Sequence, residues 1–353
     1  MRRRMSRCSR AALLALGATL LLAAPAAAQD SAAAAPAKPT KLFASDSVFA
    51  ITIAGDMKTY VAARDSTAPW LPAQLIVAGD TISIDIQQRG HFRRKASSCS
   101  FPPMSVKFDK DVKGSIFAKQ KKLKLVTTCR PESAEYARYI LQEYMIYRVY
   151  ALLTPVSFRA RLVRVTYTDT AHPGATPFTT MAFFVEDQKD MAARNGGTVL
   201  AAKNAVREDF DAPALAVLSL FEFMIGNTDW SFAAEHNLRL VRTGVFGAGI
   251  LPVAYDFDWS GAVNASYATP DRSLPIRAVR ERVWMSYCLG SPDLAEAVAL
   301  FNARRGAITA LYTDSRILDA EWAQRTIEYF DDFYKTINDP ARLAKAVKRH
   351  CAG

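Results

Sequence analysis

Gly226-Asn227-Thr228-Asp229-Trp230-Ser231, then His236-Asn237, then Tyr255-Asp256-Phe257-Asp258-Trp259-Ser260-Gly261 is the stretch on which the reading of this chain turns. Within 36 residues it sets the carboxylates Asp229, Asp256 and Asp258, with the carboxamides Asn227 and Asn237, beside apolar runs expected to be buried. Charges near a core are costly unless they are paired, hydrogen-bonded or bound to a cation. Acceptors gathered at the ends of buried elements therefore mark a candidate metal or catalytic site.

The sequence before this stretch reads mainly as strands. Phe49–Ile53 alternates, as do Ile82, Ile84 and Ile86, then Met104, Val106 and Phe108, then Leu123 and Leu125, all with period two. A helix is expected over 132–153, where apolar residues recur at three-to-four spacing from Tyr136 to Leu152. Strands are expected near Phe158–Thr168 and Thr179–Glu186. Beyond them, Asp211 is placed to cap a helix with Pro213 in its first turn, and Gly226 to end it in a left-handed conformation. His236–Val241 and Leu251–Phe257 read as two strands joined through Gly244, Gly247 and Gly249. Helices follow over Asp293–Tyr312, Ala320–Ile337 and Pro340–Arg349. The expectation is an α+β chain in two lobes. Residues 42–190 form a strand-rich N-terminal lobe with one long helix, and 191–353 a mainly helical C-terminal lobe carrying the acidic cluster.

Residues 1–28 read as an export signal. Arg2, Arg3, Arg4, Arg7 and Arg10 precede an apolar run from Ala11 to Leu22 and the small residues Ala26-Ala27-Ala28. The run is too short for a stable membrane span. Residues 29–41, rich in Ala, Pro and Lys, read as a flexible linker. Removing the signal takes away five arginines and leaves 40 basic against 34 acidic residues, so the net charge drops from +11 to +6. That balance gives no electrostatic case for nucleic acid as a partner. The basic runs Arg89–Lys95 and Lys119–Lys124 are read as solvated strand ends or loops. Four cysteines remain after the signal, and an even number in an exported chain permits two disulfides. Cys99 with Cys129 is the first choice, leaving Cys288 with Cys351 to tie down the tail. There is no Cys-x-x-Cys, and the four histidines are scattered, which argues against zinc.

Phosphoryl transfer asks a protein for a carboxylate to receive or orient the nucleophile, hard oxygen ligands for Mg²⁺, and cations on the phosphates. Protein kinases supply these from a strand lysine, a helix glutamate, and then Asp, Asn and Asp in that order. Here Lys107, Glu143, Asp229, Asn237 and then Asp256 or Asp258 follow the same order. From Arg89 to Gly261 the sequence resembles the spore-coat kinase (CotH) family of exported, atypical kinase-like proteins. The resemblance rests on Arg89-Gly90, on Phe101-Pro102 before Ser105-Val106-Lys107-Phe108, and on Leu123-Lys124-Leu125 ahead of the helix with Glu143. It continues through Glu186-Asp187, Gly226-Asn227-Thr228-Asp229, Asn237 and Asp256-Phe257-Asp258. It implies a protein-kinase-like fold whose cleft binds ATP with Mg²⁺ or Mn²⁺ and phosphorylates a protein or glycan hydroxyl. Asp229 would be the catalytic carboxylate, and Asn237 with Asp256 or Asp258 the metal ligands. Lys107, steadied by Glu143, would meet the phosphates, with Arg89 and Glu186 also at the nucleotide. The sequence departs from the kinase pattern in three ways: Asn237 stands eight residues after Asp229, there is no Gly-x-Gly-x-x-Gly loop, and Asp258 follows Asp256-Phe257 where a kinase has glycine.

Plainer readings stand beside these. Asp229 after a helix end can serve a turn, Lys107 and Glu143 can be solvated surface groups, and Glu186 can cap a strand. His236 is read as packing or hydrogen-bonding beside Asn237. A non-catalytic exported binding protein with a structural Ca²⁺ is the alternative function. Asp256, Asp258, Ser260 and Gly261 match the opening of a calcium loop, but Tyr267 stands where the closing acid belongs.

Overall fold

A computed structural model describes residues 38–65, 67–109, 112–201, 205–245 and 247–352. The expected export signal and most of the linker lie outside the described residues. The strands are β1 (Phe49–Gly55), β2 (Leu71–Val77), β3 (Asp80–Gln88), β4 (Met104–Phe108), β5 (Lys122–Val126), β6 (Ala160–Asp169), β7 (Phe178–Val185), β8 (Gly197–Leu200), β9 (Leu238–Thr243) and β10 (Leu251–Ala254). The helices are α1 (Met57–Ala62), α2 (Ala134–Leu153), α3 (Gln188–Arg194), α4 (Ala212–Ile225), α5 (Ser291–Asp314), α6 (Ala320–Ile337) and α7 (Pro340–Lys348).

The first seven strands close into a barrel in the order β1-β2-β3-β4-β5-β7-β6. Every pairing is antiparallel except β1 with β6, which run parallel with Thr52 opposite Thr166. This overturns the two-lobed, protein-kinase-like fold expected from the sequence. The strands form a closed barrel of mixed sense instead of the sheet of a kinase N-terminal lobe. A separate antiparallel sheet, β10-β9-β8, stands among the helices. Closure follows from the length of β6, whose ten residues pair with β7 along one edge and with β1 along the other, leaving no exposed edge. Ile53, Leu75, Ile84, Val106, Leu125 and Val165 alternate into the barrel interior, where they are buried together.

A second, larger core surrounds α2, α4, α5 and α6. Helix α2 is buried around most of its circumference, including Gln142 and Glu143, because the barrel strands β6 and β7 cover one side and α4 and α5 the other. Helix α4 forms as the sequence predicts. The Asp211 carboxylate accepts from Ala214 N, Pro213 lies in the first turn, and Gly226 ends the helix at φ 63°. The expected strands near the acidic stretch shift: β9 begins at Leu238 and β10 stops at Ala254, so Asp256 and Asp258 lie beyond the strand.

The two disulfides pair as expected, Cys99 with Cys129 and Cys288 with Cys351. They close sequence separations of 30 and 63 residues. In the chain-entropy picture each constrains the unfolded state by about 4 kcal/mol. Among the described residues no helix is long and apolar enough to cross a membrane.

Candidate functional site

Two acid-bearing segments are laced together below the barrel. Gly261 N donates to Gly226 O at 3.0 Å and Ala262 N to Ile225 O at 2.9 Å, joining the end of α4 to the segment after Asp258. The Tyr329 hydroxyl of α6 lies against both glycines. A Cβ would come within 2.1 Å of it at Gly226 and 2.5 Å at Gly261. Only residues without side chains let α6 approach this junction.

Beside the junction opens a cleft of about 270 Å³, lined by Arg89, Arg93, Asp229, Asn237, Asp256 and Asp258 among others. At its inner end, one carboxylate oxygen from each of Glu143, Asp256 and Asp258 lies within 4.8 Å of the others. Glu143 enters from the middle of α2 with none of its surface exposed, and neither of its oxygens has a hydrogen-bond partner. Arg93, 8% exposed, reaches in from the opposite wall. Its Nη2 donates to Asp256 Oδ1 at 3.2 Å, and its Nε lies 3.5 Å from Asp258 Oδ2. Tyr267 donates its hydroxyl to Asp258 Oδ2 at 3.0 Å. Asp256 N donates to the Tyr147 hydroxyl at 2.9 Å.

These surroundings divide the acids. Burial drives the Glu143 carboxyl far above the usual range, and the neighbouring Asp258 and Asp256 push the same way. Burial also lifts Asp258 to about 6 against the pull of Arg93. For Asp256, burial is outweighed by Arg93, Arg89 and Lys124, which hold its carboxyl below the usual value. Arg93 itself is raised despite burial, because Asp258, Tyr267 and Asp256 favour its charge.

Asp229 stands at the outer side of the cleft. Its N donates to Asn227 Oδ1 at 3.0 Å, and Asn237 Nδ2 donates to its Oδ2 at 3.1 Å and to its carbonyl oxygen at 2.7 Å. His236 Nε2 lies 3.1 Å from Asp229 Oδ1, so this histidine braces the carboxylate. Burial raises the Asp229 carboxyl, and His236 partly offsets the shift. The eight-residue step from Asp229 to Asn237 has a structural explanation. Ser231 and His236 exchange backbone hydrogen bonds of 3.1 and 3.0 Å, closing the intervening residues into a loop and bringing Asn237 back onto Asp229. Asn237 and Asp256 hold positive φ, 52° and 68°. Asn and Asp tolerate this region better than most residues, and such strain clusters where a site is held to shape.

The structure thus brings Asp229, Asn237, Asp256, Asp258 and Arg89 to one cleft, with Glu143 buried beside Asp256 and Asp258. Lys107 does not reach it. Its ammonium donates to Asp85 Oδ2 at 3.0 Å and lies over Trp70 on the outside of the barrel, so it makes no pair with Glu143. Glu186 is not in this cleft but lines a neighbouring cavity, and its carboxylate is taken up by protein partners. It is buried, accepts from Arg194 Nη2 at 2.9 Å and from Arg159 N at 3.1 Å, and ties the end of β7 to α3.

The cations that act on Asp256 are Arg93, Arg89 and Lys124 instead. Arg93 comes from the run read as solvated, and Lys124 from the other such run. Lys124 lies one strand beyond Lys107, in β5, where Ser105 is its pairing partner. Its ammonium lies 4.4 Å from the centroid of the Tyr255 ring, on whose face the Arg239 guanidinium also lies. Burial, aided by Arg89, lowers the Lys124 amine to about 7. Lys124 and Arg239, together with Glu186, line that neighbouring cavity, of about 240 Å³. A lysine alternating with Leu123 and Leu125 is a signal the sequence offered equally for Lys107, and only strand pairing separates the two. Arg89 Nη1 is buried without a hydrogen-bond partner.

The chain matches no protein-family model and no curated protein. The site must therefore be read from its own chemistry. Unpartnered carboxylate oxygens fit a hard cation, and an unpartnered guanidinium nitrogen with a nearby amine fits an anion such as phosphate.

Proposed function

We propose that this protein is an exported phosphotransferase that uses ATP with Mg²⁺ or Mn²⁺ and transfers phosphate to a protein or glycan hydroxyl. The observation that carries the reading is an orphaned guanidinium nitrogen, Arg89 Nη1, on a residue lining the cleft, with an orphaned buried carboxylate, Glu143, grouped with the cleft's Asp256 and Asp258. A metal–triphosphate supplies both missing partners. The paired disulfides support an oxidising destination.

Asp256 and Asp258, with Glu143 behind them and Asn237 beside them, would hold the cation, which when bound neutralises charge on the transferring phosphate. Arg89 and Lys124 take the role first given to Lys107 and contact phosphate oxygens. Asp229, with His236 and Asn237 fixing its orientation, receives the proton of the acceptor hydroxyl. The resemblance to the spore-coat kinase family is kept here for the order of site residues alone, since the protein-kinase-like fold is not found. A structural calcium site is less favoured. Arg93 and Tyr267 already occupy oxygens of Asp256 and Asp258, and calcium takes six to eight oxygen ligands.

The test is a thermal-shift titration joined to a transfer assay. ATP with Mg²⁺ or Mn²⁺ should stabilise the wild type, by about 2.7 kcal/mol at a hundredfold excess over Kd, and the shift should vanish in Asp256→Ala. Asp229→Asn should keep the shift and lose transfer by at least 100-fold. Stabilisation by Ca²⁺ alone, with nothing added by nucleotide, would sink the phosphotransferase reading.

A further inference from the structure

Resting on the assignment of Asp256 to the cation, we infer that Tyr147 is the positioning residue that fixes Asp256 in the conformation able to hold it. Among the described residues β10 is an edge strand, paired on one side with β9. Just past its end, Tyr255 N still donates to Asn237 O at 3.0 Å. Alternate N–H groups of a strand point to opposite edges, so the next one, of Asp256, turns away from β9. It donates to the Tyr147 hydroxyl of α2 at 2.9 Å. At this same residue the chain leaves its extended course, with φ 68°. That region is costly for any residue with a side chain, and it persists only where the surroundings hold it. The Tyr147 hydroxyl is such a hold, because a relaxed Asp256 would carry its N–H off the one acceptor it has met.

The hydroxyl is itself fixed. Tyr147 is 3% exposed, and its ring lies 4.7 Å from that of Phe257 and 5.5 Å from that of Phe183. Phe257 stands between the two aspartates in sequence, so one tyrosine grips their segment by ring and by hydroxyl. Glu143 precedes Tyr147 by about one turn of α2, and its carboxylate is grouped with those of Asp256 and Asp258. One face of α2 therefore carries both a member of the carboxylate group and the hydroxyl that sets the backbone of another. The helix also supplies a comparison. The Tyr139 hydroxyl accepts from Ser266 N at 3.0 Å, a bond of the same kind to the same stretch of chain but away from Asp256.

Mn²⁺ binding, with free ion read by electron paramagnetic resonance, tests this in Tyr147→Phe and Tyr139→Phe, each of which removes one oxygen and keeps the ring. Tyr147→Phe should weaken Mn²⁺ binding at least tenfold, and Tyr139→Phe less than twofold. Unchanged affinity in Tyr147→Phe, or equal losses in both variants, overturns the inference and leaves the functional reading standing. No Mn²⁺ bound by the wild type, alone or with a non-hydrolysable ATP analogue, overturns both. If Tyr147→Phe does not fold, amide hydrogen exchange in the wild type decides. Mg²⁺ should slow exchange at Asp256 at least tenfold and leave Ser266 as it was, and no slowing at Asp256, or equal slowing at both, overturns the inference.

Discussion

The ammonium of Lys124 lies 4.4 Å from the centre of the Tyr255 ring, one residue before Asp256, while Lys107 on the adjacent strand is bonded to Asp85. Two lysines that each alternate with apolar residues thus have different surroundings. Lys124→Met should weaken binding of an ATP analogue at least tenfold, about 1.4 kcal/mol. Lys107→Met should change it less than twofold, since an exposed ion pair contributes little. Calorimetric titration of both variants checks the contrast, and equal losses would refute it.

Glu186 separates structural from ligand-binding duty. It and Arg194 form a buried pair. Removing one partner strands the other charge, at a cost of roughly 3–5 kcal/mol. Glu186→Ala should therefore lower the melting temperature sharply, while nucleotide affinity of the folded fraction stays within about threefold. Loss of affinity without loss of stability would return Glu186 to the nucleotide.

How far the sequence could be read follows from which forces are local. The cap at Asp211, the left-handed Gly226 and the span Ala320–Ile337 depend on neighbours in the chain, and all were visible. Barrel closure was not. Period two says which side chains face inward but not which strand each edge will meet, and β1 with β6 pair across more than a hundred residues. The same blindness misassigned Lys107 and hid Arg93, since a run of basic residues looks solvated until acids from elsewhere in the chain arrive to bury one of them. The eight-residue step from Asp229 to Asn237 was legible as a departure from the kinase spacing, but its closed-loop form needed the Ser231–His236 pairing.

Glu222 is buried in α4 beside the Asn227 side chain, and burial raises its carboxyl to about 8. The folded state holds this proton between about pH 4.5 and 8, whereas the unfolded chain releases it. This group's contribution to stability is therefore complete below pH 4.5 and declines as pH rises through that window, at up to about 1.4 kcal/mol per unit. Glu222→Gln should flatten the decline and be more stable than the wild type at pH 8. Urea unfolding at pH 5, 6.5 and 8 measures both, and an unchanged slope would show that Glu222 is not the source.

Gly226 is required twice, for its positive φ and for the approach of Tyr329. Gly226→Ala should cost roughly 1–3 kcal/mol. Adding Tyr329→Phe should recover part of that loss, because the clash is with the hydroxyl. A double variant no more stable than the single one would leave the backbone conformation as the whole cause.

The bridge from Cys99 to Cys129 closes thirty residues of chain and fastens the far end of the segment that carries Arg89 and Arg93. A newly made molecule with free thiols has every ingredient of the site, but the segment bearing its buried arginine is fastened at one end only. Thiol oxidation thus also decides how firmly that arginine is held beside Asp256 and Asp258.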